Sequence, residues 1–283
     1  MKRWRLFTAV LCSLGVLIGC ATLDDKQGEW IFQPSDRTWG GAGAASDMED
    51  VWVEFDSALS GRHVRLHALW HAAPARPGAD AVPAPVLLYL HGSRWNVTSS
   101  AFRARRMREL GFSVLALDYR GFGKSDPSAP SEALAYEDAR AAWDWLAARY
   151  RDRPRYIFGH SLGGAIAIEL ASQVDDEAGT IVEGTFTSLP DVVGSMKWGW
   201  LPVGGLITQR FEAIKKVATI GSPLLVVHGA EDNLIKPELG RRLFEAARGP
   251  KAFVLVDGGS HHNTNALGLP QYRQAIAQLF DLK

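Results

Sequence analysis

A chain of 283 residues with 47% apolar and 22% charged side chains is long enough for one large buried core; two small domains are possible but not required. Its 31 basic residues balance its 31 acidic ones, which argues against nucleic acid as a partner, since that would call for a basic surplus. No internal repeat, heptad run or long low-complexity tract supports a solenoid or a coiled coil.

At the N-terminus, Lys2, Arg3 and Arg5 precede the apolar run Leu6 to Ile18, the pattern of a secretory signal and too short for a comfortable bilayer-spanning helix. The run ends in Leu17-Ile18-Gly19-Cys20-Ala21, which resembles a bacterial lipobox. Residues 1–19 are therefore expected to be a lipoprotein signal peptide, Cys20 to carry lipid, and residues 20–29 to form a lipid-anchored tether. Cleavage would leave 28 basic residues against 31 acidic ones. With Cys12 removed and Cys20 acylated, no disulfide, cysteine nucleophile or zinc cluster is expected. The absence of Asp after Cys20 favours, by the same resemblance, a bacterial outer membrane, with the protein facing the periplasm.

From residue 30 the chain reads as one folded unit. Gly40 to Ser46 reads as a flexible loop and Ala72 to Pro85 as a Pro-rich surface connection. Between them, Val51 to Phe55 and Arg62 to Trp70 alternate with a two-residue period and predict an antiparallel hairpin. Six short, nearly continuous apolar runs follow: Val86 to Leu90, Ser113 to Asp118, Tyr156 to His160, Thr180 to Gly184, Leu224 to Gly229 and Ala252 to Asp257. Runs of this kind suit strands covered on both faces. Helical segments over 99–110, 132–150, 162–173, 237–247 and 270–280 lie around them. Strand alternating with helix predicts an α/β fold, a mainly parallel twisted sheet with helices on both faces, whose ligands sit at the carboxyl ends of the strands.

Gly159-His160-Ser161-Leu162-Gly163 fits G-x-S-x-G between a predicted strand and a predicted helix. Small residues flank the serine because the backbone turns sharply there, lifting the side chain above the sheet at a helix N-terminus. Ser161 is thus the candidate nucleophile. A serine hydroxyl needs a base to accept its proton and a third group to orient that base. Asp232 follows the Leu224 to Gly229 strand, with Glu231 beside it and Glu183 at the end of another strand as alternatives. His261 and His262 follow the Ala252 to Asp257 strand. Two other features read as non-catalytic. Asp118 to Ser125 lacks the spacing of a phosphate loop. His63, His67 and His71 share one face of a strand without acidic partners and read as surface histidines rather than metal ligands. No cofactor is expected.

These blocks together carry a resemblance. Leu88 to Ser93, Leu115 to Ser125, Gly159 to Gly164, Val226 to Ile235 and Gly258 to Thr264 resemble, in order, the α/β-hydrolase superfamily. The similarity is greatest to its small-lid serine hydrolases, which include lysophospholipid lipases and protein depalmitoylases. The resemblance implies an α/β-hydrolase domain over 30–283 with a short lid at about 187–217, rich in apolar residues (Met196, Trp198, Trp200, Leu201, Val203 and Leu206). These either contact an acyl chain or a bilayer, or simply cover the sheet. It implies a catalytic set of Ser161, Asp232 and His262, the histidine chosen because it directly precedes Asn263. His261 is then a neighbour on the loop surface and Glu183 structural. It further implies an oxyanion hole from the backbone N–H groups of Ser93 and Leu162, Arg94 pointing to solvent, and a structural turn over Asp118 to Ser125. The expected activity is a membrane-tethered serine hydrolase cleaving carboxylic esters or thioesters through an acyl-enzyme on Ser161. An acyltransferase using the same residues, a peptidase, and a non-catalytic envelope scaffold are the alternatives. The expected partners are an acyl ester substrate and the membrane.

Overall fold

The computed structural model describes residues 24, 26–35, 43–74, 83–196 and 202–282. The expected signal peptide, Cys20 and the lid residues Trp198, Trp200 and Leu201 lie outside them. A short helix, α1 (26–32), precedes the hairpin of β1 (Glu49–Asp56) and β2 (His63–His71). Then follow β3 (Val86–Leu90), α2 (Ala101–Glu109), β4 (Ser113–Leu117), α3 (Glu132–Arg149), β5 (Arg155–His160) and α4 (Leu162–Ala171). The remainder comprises β6 (Gly179–Glu183), α5 (Leu189–Gly194), β7 (Leu224–Gly229), α6 (Pro237–Ala246), β8 (Lys251–Val256), α7 (Thr264–Leu267) and α8 (Leu269–Phe280). One eight-stranded sheet runs in the order β1-β2-β4-β3-β5-β6-β7-β8. β2 pairs antiparallel with β1 and β4, and every later pairing is parallel.

Five of the apolar runs become interior strands of the sheet, where helices cover both faces, whereas the run after Lys251 becomes β8 at the sheet edge and is only partly buried, with Leu255 41% exposed. Along β3, Val86, Leu88 and Leu90 face a core shared with α3, α4 and α6, while Leu87 and Tyr89 face a second core shared with α2 and α8. Full burial of such a side chain contributes about 1.5–3 kcal/mol, so a strand buried on both faces is favoured over a half-wet one wherever helices flank it. α3 shows the local logic of those helices. Ser131 caps it by accepting the Leu134 N–H, and Ala135, Ala139, Ala142, Trp143 and Leu146 recur at helical spacing along its buried side.

Besides the short helices α5 and α7, two parts of the fold were not legible in the chain. The first is α1, which straddles the expected end of the tether at residue 29. Gly28 brings it so close to Pro130 that a Cβ would lie 2.1 Å from the Pro130 carbonyl oxygen. Phe32 at its end is buried edge-on against Phe122 and Phe211. The second is the face carrying the three strand histidines. Only His63 is a surface group; His67 and His71 are buried, and acidic partners accompany all three. The His67 Nδ1 lies 3.3 Å from Asp118 and its Nε2 2.6 Å from Asp50, carboxylates brought alongside by β4 and β1. Burial of the ring is outweighed by these two carboxylates, which raise its pKa. Among the described residues no group of three or more side chains has the arrangement to hold a metal ion.

Glycine is obligatory where the turn into α4 is tightest. A Cβ on Gly163 would stand 2.1 Å from the Leu90 carbonyl oxygen, whereas one on Gly194, at the exposed end of α5, would meet nothing within 4 Å. Gly163→Ala is expected to cost more than about 3 kcal/mol in urea-induced unfolding, and Gly194→Ala to be neutral or stabilising by up to about 1 kcal/mol. Equal effects at the two positions would refute this account of the turn.

Candidate active site

β5 delivers Ser161 into a backbone conformation that few L-residues adopt, with φ 56° and ψ −122°. Such a residue is held at a cost of about 1–3 kcal/mol, and here two close approaches and two hydrogen bonds hold it. A Cβ on Gly159 would lie 2.2 Å from the Gly163 carbonyl oxygen, and one on Gly92 would lie 3.0 Å from the Ser161 Cβ. The Ser161 N–H donates to the Glu183 carbonyl at the end of β6 at 2.9 Å, and the Thr185 hydroxyl donates to the Ser161 carbonyl at 2.8 Å. The serine is thereby fixed at the carboxyl ends of β3, β5 and β6.

The ends of β7 and β8 bring the other two groups to it. The Asp232 Oδ1 accepts the N–H groups of Leu234 (2.9 Å) and Ile235 (2.8 Å), which fixes the carboxylate plane. Its Oδ2 lies 2.8 Å from the Nδ1 of His261, and the Nε2 of His261 lies 3.0 Å from the Ser161 Oγ. An ionised carboxylate only accepts, so His261 Nδ1 carries the proton and Nε2 is free to accept from the serine hydroxyl. Burial alone would raise the Asp232 pKa; hydrogen bonds from His228 and His261 outweigh it and hold the carboxyl well below its usual range. His228, whose Nε2 also donates to the Ile235 carbonyl at 2.9 Å, is fully buried and faces Asp232 from the second side.

The histidine expected from the motif is therefore displaced by one position. His261 is buried in the relay, not on the loop surface, and His262 is exposed, its ring 83° from that of His261. The cause is the turn. Asn263 accepts the Ser260 N–H (2.7 Å) and hydroxyl (2.9 Å) through its side chain, closing the loop just before α7 and turning the first histidine inward. The Asn263 that favoured His262 in the sequence is occupied in shaping this turn. Glu231 is exposed and its side chain takes no part, and Glu183 serves elsewhere.

That other role belongs to a buried cluster that the sequence reading missed. Arg103 of α2, only 4% exposed, donates from Nε to Glu183 Oε1 (3.2 Å) and from Nη2 to His160 Nε2 (2.9 Å). The same Nη2 reaches the carbonyls of His261 (3.3 Å) and His262 (3.4 Å). The Tyr272 hydroxyl donates to the other oxygen of Glu183. Burial, reinforced by the Arg103 charge, holds His160 well below the usual histidine range, as its role as acceptor requires. Arg103 shares the buried side of α2 with Ala104 and Met107, and a charge on an apolar helix face is the one signal by which it could have been found.

Leu162, in the first turn of α4, and Ser93, after Gly92, present N–H groups that have no partner among the described hydrogen bonds, and both flank the serine. Arg94 is exposed, in the left-handed region with φ 73°. Residues 187–196 and 202–217, the described part of the stretch expected to form a lid, follow β6 in the chain.

Residues 81–211 match the family model described as serine aminopeptidase, S33 (Hydrolase_4). An uncharacterised protein of Mycobacterium tuberculosis is 36% identical over 193 residues, 68% of each chain. The lysophosphatidylserine lipase ABHD12 of Danio rerio is 28% identical over 65% of this chain and 56% of its own. Among solved structures, the Pyrococcus furiosus esterase Pf2001 superposes with a TM-score of 0.66 at 18% identity, covering 88% of this chain and 98% of that one. With a serine lifted above the carboxyl ends of a mainly parallel sheet and relatives of this kind, the chain is a serine hydrolase belonging to the α/β-hydrolase superfamily.

Proposed function

We propose that the protein is a membrane-tethered hydrolase of carboxylic esters or thioesters that works through an acyl-enzyme on Ser161. The observation that carries the reading is the relay itself: hydroxyl, imidazole and carboxylate in sequence at 3.0 and 2.8 Å. Ser161 Oγ attacks the acyl carbonyl while His261 Nε2 takes its proton, and Asp232 stabilises the imidazolium without being protonated. The N–H groups of Leu162 and Ser93 receive the developing oxyanion, each worth about 3 kcal/mol in comparable sites. His261 then gives the proton to the departing alcohol or thiol, and water repeats the cycle on the acyl-serine, releasing the acid. Esters are favoured as the substrate class by a relative that is a lysophosphatidylserine lipase. The tether rests on the basic and apolar N-terminus ending in Cys20. Transfer of the acyl group to an alcohol or thiol uses the same residues, and product analysis separates it from hydrolysis.

Ser161→Ala is expected to abolish turnover of a short p-nitrophenyl ester and labelling by a fluorophosphonate; full labelling of the variant would remove the nucleophile assignment. His261→Ala should lower kcat/KM by at least about a thousandfold and His262→Ala by less than about tenfold, the reverse order restoring His262 as the base.

Arg103 acts as a positioning residue, through the two histidine carbonyls. Arg103→Met should lower kcat by about a hundredfold with KM within about threefold, and Arg103→Lys should recover part of the loss. A loss confined to thermal stability, with kcat intact, would make the cluster merely structural. The Asp232 carboxyl titrates lower in the folded chain than in the unfolded one, so its contribution to stability is present above about pH 4 and is lost as pH falls. The difference in unfolding free energy between wild type and Asp232→Asn should accordingly shrink below about pH 4, and a constant difference would contradict the depressed pKa.

A further inference from the structure

Residues 24 and 26–35 make a strap between residues 206–209 and the loop after β3. At its start, the Asp24 carboxylate accepts the Thr208 hydroxyl (2.5 Å) and the Gln209 amide (2.7 Å) of the lid. Gln27 donates to the Leu206 carbonyl (2.7 Å) and accepts the Thr208 N–H (2.8 Å). At its other end, the Arg94 N–H donates to the Phe32 carbonyl (2.7 Å), and Pro34 forms a parallel bridge with Trp95 in the loop after β3. The lid and that loop both leave the sheet at the pole that carries the nucleophile.

The outer side of this pole carries four large exposed apolar residues beside the exposed Lys26–Glu29 ion pair of the strap. Trp30 in the middle of the strap is 69% exposed, Leu206 beneath its start 66%, and Trp95 at its end 39%. Met196 of the lid is exposed as well. Single exposed apolar residues are ordinary, but here they sit on hydrogen-bonded neighbouring segments, and tryptophan is the side chain that settles at membrane–water interfaces. The exposed Arg94 beside Trp95 adds a cation suited to lipid phosphates.

The chain before the strap identifies the occupant. Asp24 lies four residues after Cys20. Four residues of extended chain span at most about 14 Å. Acyl chains on Cys20 would therefore hold the lid end of the strap against the headgroups of the membrane in which they are inserted. We propose that the strap, with Trp95 and Leu206, is a docking surface for a lipid bilayer, so that the entrance to Ser161 faces the membrane and the enzyme takes its acyl substrate from that same bilayer. This deepens the tethered-hydrolase reading and rests on it.

The test uses the full lipidated chain in phosphatidylethanolamine–phosphatidylglycerol vesicles. Cysteines introduced as Trp30→Cys, Leu206→Cys and, at the opposite pole just before β5, Asp152→Cys carry an environment-sensitive fluorophore; acylated Cys20 leaves no other thiol to label. Probes at 30 and 206 are expected to shift to shorter wavelength and to be quenched about twofold by brominated lipid, with the probe at 152 unchanged. A chain that floats with the vesicles while the probes at 30 and 206 stay in water overturns the docking surface alone. A chain that does not float, or whose wild-type form takes up the fluorophore at Cys20, overturns the anchor and the docking surface with it. A shift at 30 that follows protein concentration without vesicles assigns the patch to a second copy and also overturns the proposal. In a paired assay, Trp30→Asp should lower turnover of a long-chain acyl ester embedded in vesicles by about tenfold, with a soluble short-chain ester within about twofold. Equal losses on both substrates, or none, contradict the role assigned to the strap, and absence of turnover in wild type contradicts the hydrolase reading itself.

Discussion

The architecture of the site depends on one strained residue. Ser161 occupies a left-handed backbone conformation only because three strands converge on it and three glycines, Gly92, Gly159 and Gly163, let them come close enough. That geometry lifts the hydroxyl above the sheet and directs the first N–H groups of α4 toward the same space. The parallel sheet supplies the rest. Because β7 and β8 end at the same pole, the loops after them can carry an acid and a base to the serine from positions 71 and 100 residues further along the chain. A two-faced core favours this arrangement, in which six parallel strands finish at one pole.

Much of this was legible because it is repetitive. Continuous apolar runs marked all six parallel strands, though not that β8 lies at the sheet edge, and the two-residue alternation marked the β1–β2 hairpin with its antiparallel pairing. Ser161 and Asp232 could be found because each stands next to a strand end in a pattern that sterics enforce. The choice between His261 and His262 could not. Adjacent histidines carry the same local information, and what separates them is a side-chain-to-backbone turn closed by Asn263 together with a guanidinium from a helix more than 150 residues earlier. The same limit applies to His67, whose carboxylate partners come from β1 and from the turn after β4 and so were invisible to a reading confined to β2. Helix α1 was missed for a different reason. It is short, and its stability comes from docking Phe32 and Gln27 onto distant segments rather than from periodicity of its own.

Part of the polar burial in this protein lies at the candidate site, although buried pairs such as Arg120–Asp138 lie apart from it. Asp232 is braced by two backbone N–H groups and two histidines, so its orientation is set before any substrate arrives. Preorganisation of that kind is what the proton transfer proposed for His261 requires of its surroundings. Helix α1 and the residues after it are held in the same way, by hydrogen bonds to residues 206–208 on one side and to the loop after β3 on the other.

Glu183 connects these levels. Its backbone carbonyl receives the N–H of Ser161, and its carboxylate holds the guanidinium that grips the carbonyl of His261. Ser161 and His261 are thus both tied to a single amino acid at the tip of β6, and a substitution that displaced that tip would be felt at both residues together.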